Sequence, residues 1–356
     1  MRKRPITLLA IVLLTATLVW IRGTGFAEIQ DGRYPFKSFA VDLISFSVLL
    51  LVLGLLSRAI RLCCQRWLKE RGWLQALVYP LAMIMLAFPM LLVAIQLHPP
   101  HVIGGTAYTP AKLGLAFQNV ALQSDGLKLA GWFIPAEKSG QPIVLMAHGL
   151  GGNKTQFLFL AKPLHEAGLN VFTFDFRAHG ESEGRTFTFG LNEAHDVKAA
   201  YEWLKQHHAN QPIYALGFSM GGAAVAHAAA DYHIFDRIVL DSAFASFENV
   251  AKSNRFKLFG PLSGGLWQLS RGWAWIWTQR DFADNQPARQ IAKRTDCRLF
   301  VIHGTADEIA PVSEASLYKE ATASFSTVWL IEGCKHAQGY RQPDYAQRLS
   351  AFFTTQ

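Results

Sequence analysis

The chain has 356 residues, of which 51% are hydrophobic, and its formal net charge is +8 at pH 7. This length and apolar content indicate more than one soluble domain. Because residues 1–100 carry 11 Lys and Arg against 4 Asp and Glu, whereas the remainder carries 23 against 22, the excess positive charge does not indicate a nucleic-acid-binding surface.

Three long apolar segments lie in the first hundred residues, at about 6–21, 39–56 and 74–97. As helices, the second and third are long enough, or nearly so, to cross a hydrocarbon core of roughly 30 Å. We therefore predict that residues 1–100 form a membrane region with two or three transmembrane helices. The first segment could instead be a signal peptide that is cleaved off.

The basic residues of this region predict its orientation in the membrane. Three of them precede the first apolar segment, and five more lie between the second and third segments: Arg58, Arg61, Arg66, Lys69 and Arg71. Loops rich in Lys and Arg stay on the cytoplasmic side. We therefore expect an integral protein of the plasma or inner membrane, with residues 101–356 on the extracytoplasmic side. A cleaved first segment would leave them on the same side.

A glycine-rich loop follows the apolar run 143–147. A short run without polar residues is typical of a strand that is buried on both faces of a parallel sheet. The loop reads His148-Gly149-Leu150-Gly151-Gly152, and its glycines allow the backbone to approach a substrate closely. The Leu150 amide is our candidate donor to that substrate, and His148 is interpreted as a structural histidine that orders the loop.

A second glycine-flanked turn carries Ser219. The apolar run 212–216 is followed by Gly217-Phe218-Ser219-Met220-Gly221 and then by the Ala-rich stretch 222–230, which predicts a strand, a tight turn and a helix. A serine at such a turn is typical of a nucleophile. The Met220 amide, in the first turn of the helix, has no intrahelical partner. Met220 and Leu150 are therefore the predicted oxyanion-hole donors.

Two further apolar runs end in candidate partners for Ser219. Asp307 follows the run 298–302, and His336 follows the run 328–331. A serine hydroxyl needs a base to become nucleophilic, and a carboxylate orients the imidazole of that base. We predict His336 as the base and Asp307 as the acid. Asp241, at the end of the apolar run 237–240, is the competing acid, and we prefer Asp307 because its strand adjoins that of His336.

Taken together, these motifs resemble those of the α/β-hydrolase superfamily. The chain order Ser219, Asp307, His336 is the order of its triad. Asp175-Phe176-Arg177-Ala178-His179-Gly180-Glu181-Ser182 is similar to the Asp-x-Arg-x-x-Gly-x-Ser loop of the branch with monoacylglycerol lipases, acyl-protein thioesterases and proline-iminopeptidase-like enzymes. The resemblance covers roughly residues 115–353. It implies an α/β fold with a mostly parallel central sheet and helices on both faces, within residues 101–356.

The same resemblance implies a lid at about residues 242–296, inserted before the penultimate strand. Nine aromatic residues lie there: Phe244, Phe247, Phe256, Phe259, Trp267, Trp273, Trp275, Trp277 and Phe282. Our preferred interpretation is that they pack the lid onto the core. The alternative, that some of them contact lipid, stays open because tryptophan favours the membrane interface.

The predicted function is that of a membrane-anchored serine hydrolase which cleaves carboxylic ester, thioester or amide bonds through an acyl-enzyme. Its expected partners are an acyl-containing small molecule or lipid as substrate, and membrane lipids. The sequence shows no metal-ligand spacing, dinucleotide fingerprint or P-loop, so we expect no cofactor. The alternative is a non-catalytic membrane receptor or scaffold on the same fold, which loss of a triad member would have favoured.

Overall fold

The structure is a computed structural model. It describes residues 108–255 and 257–355 and, before them, residues 54–55, 57–68, 74–75, 77–79, 81–82 and 93. The chain divides into two compact units, Met1–Ala94 and Ile95–Gln356. In the first unit residues 57–67 are helical, and the hydroxyl groups of Ser57 and Tyr79 lie 2.5 Å apart.

The predicted membrane spans fall almost entirely on residues that the structure does not describe. Segment 6–21 lies wholly outside the described residues, as do all of 39–56 except residues 54 and 55 and most of 74–97. Among the residues that are described, no helix is long and apolar enough to cross a membrane. The membrane region therefore stays a prediction.

A single eight-stranded sheet runs through the second unit, in the order β1-β2-β4-β3-β5-β6-β7-β8. In chain order the strands are β1 (Gln118–Ser124), β2 (Leu127–Ile134), β3 (Ile143–Ala147), β4 (Asn170–Phe174), β5 (Ile213–Phe218), β6 (Arg237–Asp241), β7 (Arg298–Gly304) and β8 (Ser326–Ile331). β2 pairs antiparallel with β1 and β4, and all other pairs are parallel. The predicted mostly parallel sheet is confirmed.

Eight α-helices accompany this sheet within the second unit's described residues. They are α1 (Ala161–Glu166), α2 (Glu193–His207), α3 (Met220–Tyr232), α4 (Phe247–Val250), α5 (Ser263–Thr278), α6 (Pro287–Ile291), α7 (Ser313–Ala321) and α8 (Tyr345–Thr354). Segments of 3₁₀ or π helix lie at Pro110–Leu113, Leu158–Leu160, Ala251–Arg255, Lys257–Leu262, Phe282–Asp284 and Gly339–Arg341. α1 packs on α8, whereas α2 and α6 both pack on α3.

The centre of the sheet forms the core of the second unit. Every residue of β3, β4 and β5 is buried, because these strands are covered on both faces. Burying one aliphatic side chain contributes roughly 1.5–3 kcal/mol. This rigid centre holds the strands from which the site loops emerge. In β1, at the sheet edge, exposed and buried residues alternate instead.

Candidate active site

Ser219 lies at a strained turn between β5 and α3. Its φ is +52°, in the left-handed region that few non-glycine residues adopt. The flanking glycines are required by space, since a Cβ on Gly217 would lie 2.6 Å from the Gly221 carbonyl oxygen and one on Gly221 would lie 2.4 Å from the Ala147 carbonyl oxygen. The turn therefore fixes the serine at the carboxyl end of β5, where its side chain is half-buried.

A hydrogen-bonded series joins Ser219 to His336 and Asp307. His336 Nε2 lies 2.8 Å from Ser219 Oγ, and His336 Nδ1 lies 2.7 Å from Asp307 Oδ2. Asp307 Oδ1 accepts hydrogen bonds of 2.9 Å from the amides of Ile309 and Ala310, so the carboxylate is held in place. With Nδ1–H donating to the carboxylate, the lone pair of Nε2 faces the hydroxyl and can accept its proton.

Asp241 is brought to the same edge of the sheet but has other partners. Tyr345 Oη donates to its Oδ2 at 2.5 Å, and Ser242 Oγ donates to its Oδ1 at 2.8 Å. Burial raises the pKa of the Asp241 carboxyl above its ordinary value, whereas these two hydrogen bonds act to lower it. In the structure the carboxylate bonded to the imidazole of His336 is that of Asp307.

The glycine-rich loop after β3 leaves the Leu150 amide without a protein acceptor in the described part of the chain. The amide before it, of Gly149, donates to Gln156 Oε1 at 2.9 Å, and the amide after it, of Gly151, donates to His179 Nε2 at 3.3 Å. These two bonds hold the backbone on either side of Leu150. Its own N–H is therefore available to a substrate atom.

The glycine-rich loop lies against the turn that carries Ser219. A Cβ built on Gly149 would be 3.5 Å from Ser219 Cβ, so a side chain at position 149 would touch the serine. Met220 is the first residue of α3, where the amide groups have no intrahelical acceptor. The assignment of Leu150 and Met220 as oxyanion donors stays a prediction that this geometry permits.

His148 has the hydrogen bonds of a structural histidine. Its Nδ1 lies 2.7 Å from the Gly149 carbonyl oxygen, and its Nε2 lies 3.0 Å from the Phe176 amide nitrogen. A carbonyl can only accept and an amide can only donate, so Nδ1 carries the proton and Nε2 does not. Burial lowers the pKa of His148 well below its ordinary value, which keeps the ring neutral.

We expect the His148→Asn variant to make the melting temperature less sensitive to pH between 7 and 5. In the folded wild type His148 stays neutral, whereas in the unfolded chain it binds a proton below about pH 6.5. The stability from neutral His148 is thus complete above that pH and is lost as the pH falls toward the depressed folded pKa, by up to about 1.4 kcal/mol per pH unit. Thermal unfolding of both proteins at pH 5, 6 and 7 measures the difference, and equal pH sensitivity would contradict it.

A buried ion pair behind the glycine-rich loop was not anticipated from the sequence. Lys154 Nζ lies 2.6 Å from Asp175 Oδ2 and 2.7 Å from Glu181 Oε2, and the Lys154 amide donates to Asp175 Oδ1. Burial raises the pKa of Asp175 and the nearby ammonium lowers it. The loops after β3 and β4 are thereby tied together. No spacing in the sequence signals this pair, because its members come from loops that only the sheet order brings together.

The predicted lid region is more helical than its irregular sequence suggests. It contains the 16-residue helix α5, and Arg280, just beyond that helix, donates to Asn192 Oδ1 at 2.7 Å. Five of its aromatic residues are buried: Phe244, Phe247, Trp267, Trp273 and Phe282. Trp275 is 52% exposed, so this aromatic residue does not pack on the core.

Within the described ranges no group of three or more His, Cys, Asp or Glu side chains is arranged to hold a metal ion. Cys63, Cys64, Cys297 and Cys334 are free thiols.

Comparison with known proteins gives three findings. The family model described as alpha/beta hydrolase fold matches residues 142–262. The uncharacterized protein YfhR of Salmonella typhi is 31% identical over 228 residues, which cover 59% of this chain and 70% of that protein. The lysophosphatidylserine lipase ABHD12 of Danio rerio is 27% identical over 250 residues, which cover 63% of this chain and 61% of the lipase.

Among solved structures, an esterase of Pyrococcus furiosus is similar to this chain. It has a TM-score of 0.58 and 25% sequence identity, and the match covers 72% of this chain and 97% of the esterase. The matched part of the chain thus corresponds to nearly the whole of the esterase chain in that structure. The remaining part of the chain has no counterpart in it.

Proposed function

Because this chain belongs to the α/β-hydrolase superfamily, we propose that it is a serine hydrolase that cleaves carboxylic ester, thioester or amide bonds through an acyl-enzyme. The observation that carries this proposal is the hydrogen-bonded series from Ser219 through His336 to Asp307, with distances of 2.8 and 2.7 Å. The three residues follow the carboxyl ends of β5, β7 and β8, which are parallel strands of one sheet. A fold alone would not identify a function, whereas this arrangement is suited to one kind of chemistry.

The proposed reaction has two halves. Ser219 Oγ attacks the substrate carbonyl while His336 Nε2 takes the hydroxyl proton, and the Leu150 and Met220 amides bind the oxyanion. The imidazolium then gives that proton to the leaving alcohol, thiol or amine, and an acyl-serine remains. Water, deprotonated by His336, attacks the acyl group, which leaves as a carboxylic acid and restores the serine hydroxyl. Asp307 keeps Nδ1 protonated in the resting state and stabilises the imidazolium.

We propose a carboxylic ester with an acyl chain as the substrate class. Two relatives favour an ester, since one is named as a lysophosphatidylserine lipase and another as an esterase. Phe247 of the lid region contacts Phe189, Trp267 and Phe282, so the region is apolar, which favours an acyl chain as the neighbouring substrate group. The same mechanism can also cleave thioesters and amides.

A panel of substrates tests this function. We expect the full-length protein to hydrolyse p-nitrophenyl esters of two to sixteen carbons, with activity that depends on chain length. Matched thioester and anilide substrates of the preferred acyl group rank the three bond types. The Ser219→Ala protein serves as the blank, and hydrolysis no faster than this blank for every substrate would reject the proposal.

We further propose that the hydrolase part is anchored in a membrane and faces away from the cytoplasm. This rests on the five basic residues between residues 57 and 72 and on the apolar segments around them. A reporter enzyme that is active only after export, fused after residue 356, should be active in cells. A reporter that is active only in the cytoplasm, fused at the same position, should be inactive. The opposite pattern would contradict the proposed orientation.

A further inference from the structure

Ser242, the residue after β6, is hydrogen-bonded to strand β7 and to the loop that carries His336. Its amide donates to the Ile302 carbonyl oxygen in β7 at 2.8 Å, and Asp307 follows that strand. Its hydroxyl donates to Asp241 Oδ1 at 2.8 Å and accepts a hydrogen bond of 2.9 Å from the Ala337 amide. Ala337 is the neighbour of His336 in the chain.

Asp241, the residue before Ser242, is hydrogen-bonded to the proposed nucleophile Ser219. The Ser219 amide donates to the Asp241 carbonyl oxygen at 2.9 Å. The Asp241 carboxylate is fixed on its other side by Tyr345, whose hydroxyl donates to Oδ2 at 2.5 Å. Both residues of the pair are almost completely buried, at 1% exposure each, so water does not compete for these hydrogen bonds.

Three of the residues that these hydrogen bonds link have unusual backbone conformations. Ser219, Ser242 and Ala337 have φ values of +52°, +54° and +50°. A non-glycine residue in the left-handed region costs of order 1–3 kcal/mol and persists only where its surroundings hold it. The Ser242 hydroxyl is one such restraint, since without it the amide next to His336 loses its acceptor.

We infer that Ser242 is a positioning residue for hydrolysis, whose hydroxyl holds His336 in line with Ser219. This inference rests on the proposed function and deepens it. Ser242 does not touch the reacting atoms and takes no part in proton transfer. Its effect is geometric, because the Ala337 amide that it binds fixes the backbone immediately after the imidazole.

The Ser242→Ala variant tests this inference. Removing the hydroxyl frees the Ala337 amide and takes one donor from Asp241, so we expect kcat for a short-chain p-nitrophenyl ester to fall roughly 10- to 100-fold, the loss typical of a misplacement of about 1 Å. KM should change less than about threefold. The rate of covalent labelling by a fluorophosphonate should fall in parallel with kcat, because both need the serine activated.

Ser182 offers a matched control. Like Ser242 it is buried, accepts from one amide, that of Ala130 at 3.0 Å, and donates to one acceptor, the Asp175 carbonyl oxygen at 2.6 Å. Ser182→Ala therefore loses the same kind of hydrogen bonds in a loop that does not contact His336 in any described hydrogen bond. We expect a comparable loss of melting temperature in both variants but a fall of kcat in Ser242→Ala alone.

Ser242→Gly separates backbone strain from the lost hydroxyl and guards against misfolding of the alanine variant. Glycine adopts positive φ without strain, so this variant should fold and yet show the same fall of kcat. A kcat within about threefold of wild type in a folded variant, or a rise in KM with kcat unchanged, would overturn the inference. A wild type that neither cleaves esters nor is labelled would instead reject the proposed function itself.

Discussion

The Ser219→Ala variant is expected to lose all measurable ester hydrolysis, a fall of about 10⁶-fold in kcat by analogy with serine proteases. The variant retains the turn but lacks the only atom that forms the acyl bond in the proposed reaction. Alanine at φ near +52° is no more strained than serine, so the fold should be unaffected. Hydrolysis rates of purified wild-type and variant proteins measure the effect, and circular dichroism with thermal unfolding confirms that both are folded.

The outcome that would contradict the Ser219 assignment is a folded variant that keeps more than about one hundredth of the wild-type rate. Such a residual rate would require another nucleophile or a direct attack by water. The residual catalysis expected from oxyanion binding and substrate positioning alone is far smaller.

The Asp307→Asn variant is expected to lose about 10⁴-fold in kcat, the second largest effect. Asparagine can keep the contacts from the Ile309 and Ala310 amides, but it presents an N–H to His336 Nδ1. The imidazole then carries its proton on Nε2, which faces Ser219 Oγ at 2.8 Å, and cannot accept the serine proton. Steady-state kinetics with one p-nitrophenyl ester measure the loss.

Asp241→Asn is the matched comparison for Asp307→Asn. Both carboxylates are buried at the same edge of the sheet, but Asp241 is bonded to Tyr345 and Ser242 and not to His336. We expect its loss of kcat to be at least tenfold smaller than that of Asp307→Asn. A larger loss in Asp241→Asn would show that Asp241, not Asp307, supports the base.

Much of the sheet could be predicted because its strands are buried on both faces and therefore consist of short apolar runs. The predicted run 143–147 coincides with β3, and the run 212–216 lies within a residue or two of β5. Ser219, Asp307 and His336 each follow such a run. Parallel neighbours bring the ends of these runs to one edge, which is why candidate site residues could be identified from their place after a strand.

Other parts of the fold depend on contacts that no local pattern encodes. The hairpin β1–β2 was absent from the predictions although Asp125 and Gly126, both at positive φ, form the kind of two-residue turn that joins such strands. The hydrogen bond between Ser242 and Ala337 spans 95 residues, and the ion pair between Lys154 and Asp175 joins two loops. Only the sheet order makes these residues neighbours.

The lid region illustrates a different limit. Its glycines and aromatic residues suggested irregular structure, yet Ser263–Thr278 is one continuous helix. Glycine is unfavourable in a helix by about 1 kcal/mol relative to alanine, but burial of Leu266, Trp267 and Trp273 on one face outweighs it. Tertiary packing, which cannot be inferred from the local sequence, therefore stabilises this segment as a helix.

Mapping the site of a fluorophosphonate adduct tests the central proposal most directly, because the reagent bonds covalently only to a serine that a neighbouring base activates. The full-length protein is treated with the reagent, digested and analysed by mass spectrometry. We expect a single adduct on the peptide that contains Ser219, absent in Ser219→Ala and formed far more slowly in Asp307→Asn. An adduct on a different residue, or no adduct on folded wild-type protein, would contradict the proposed serine-hydrolase mechanism.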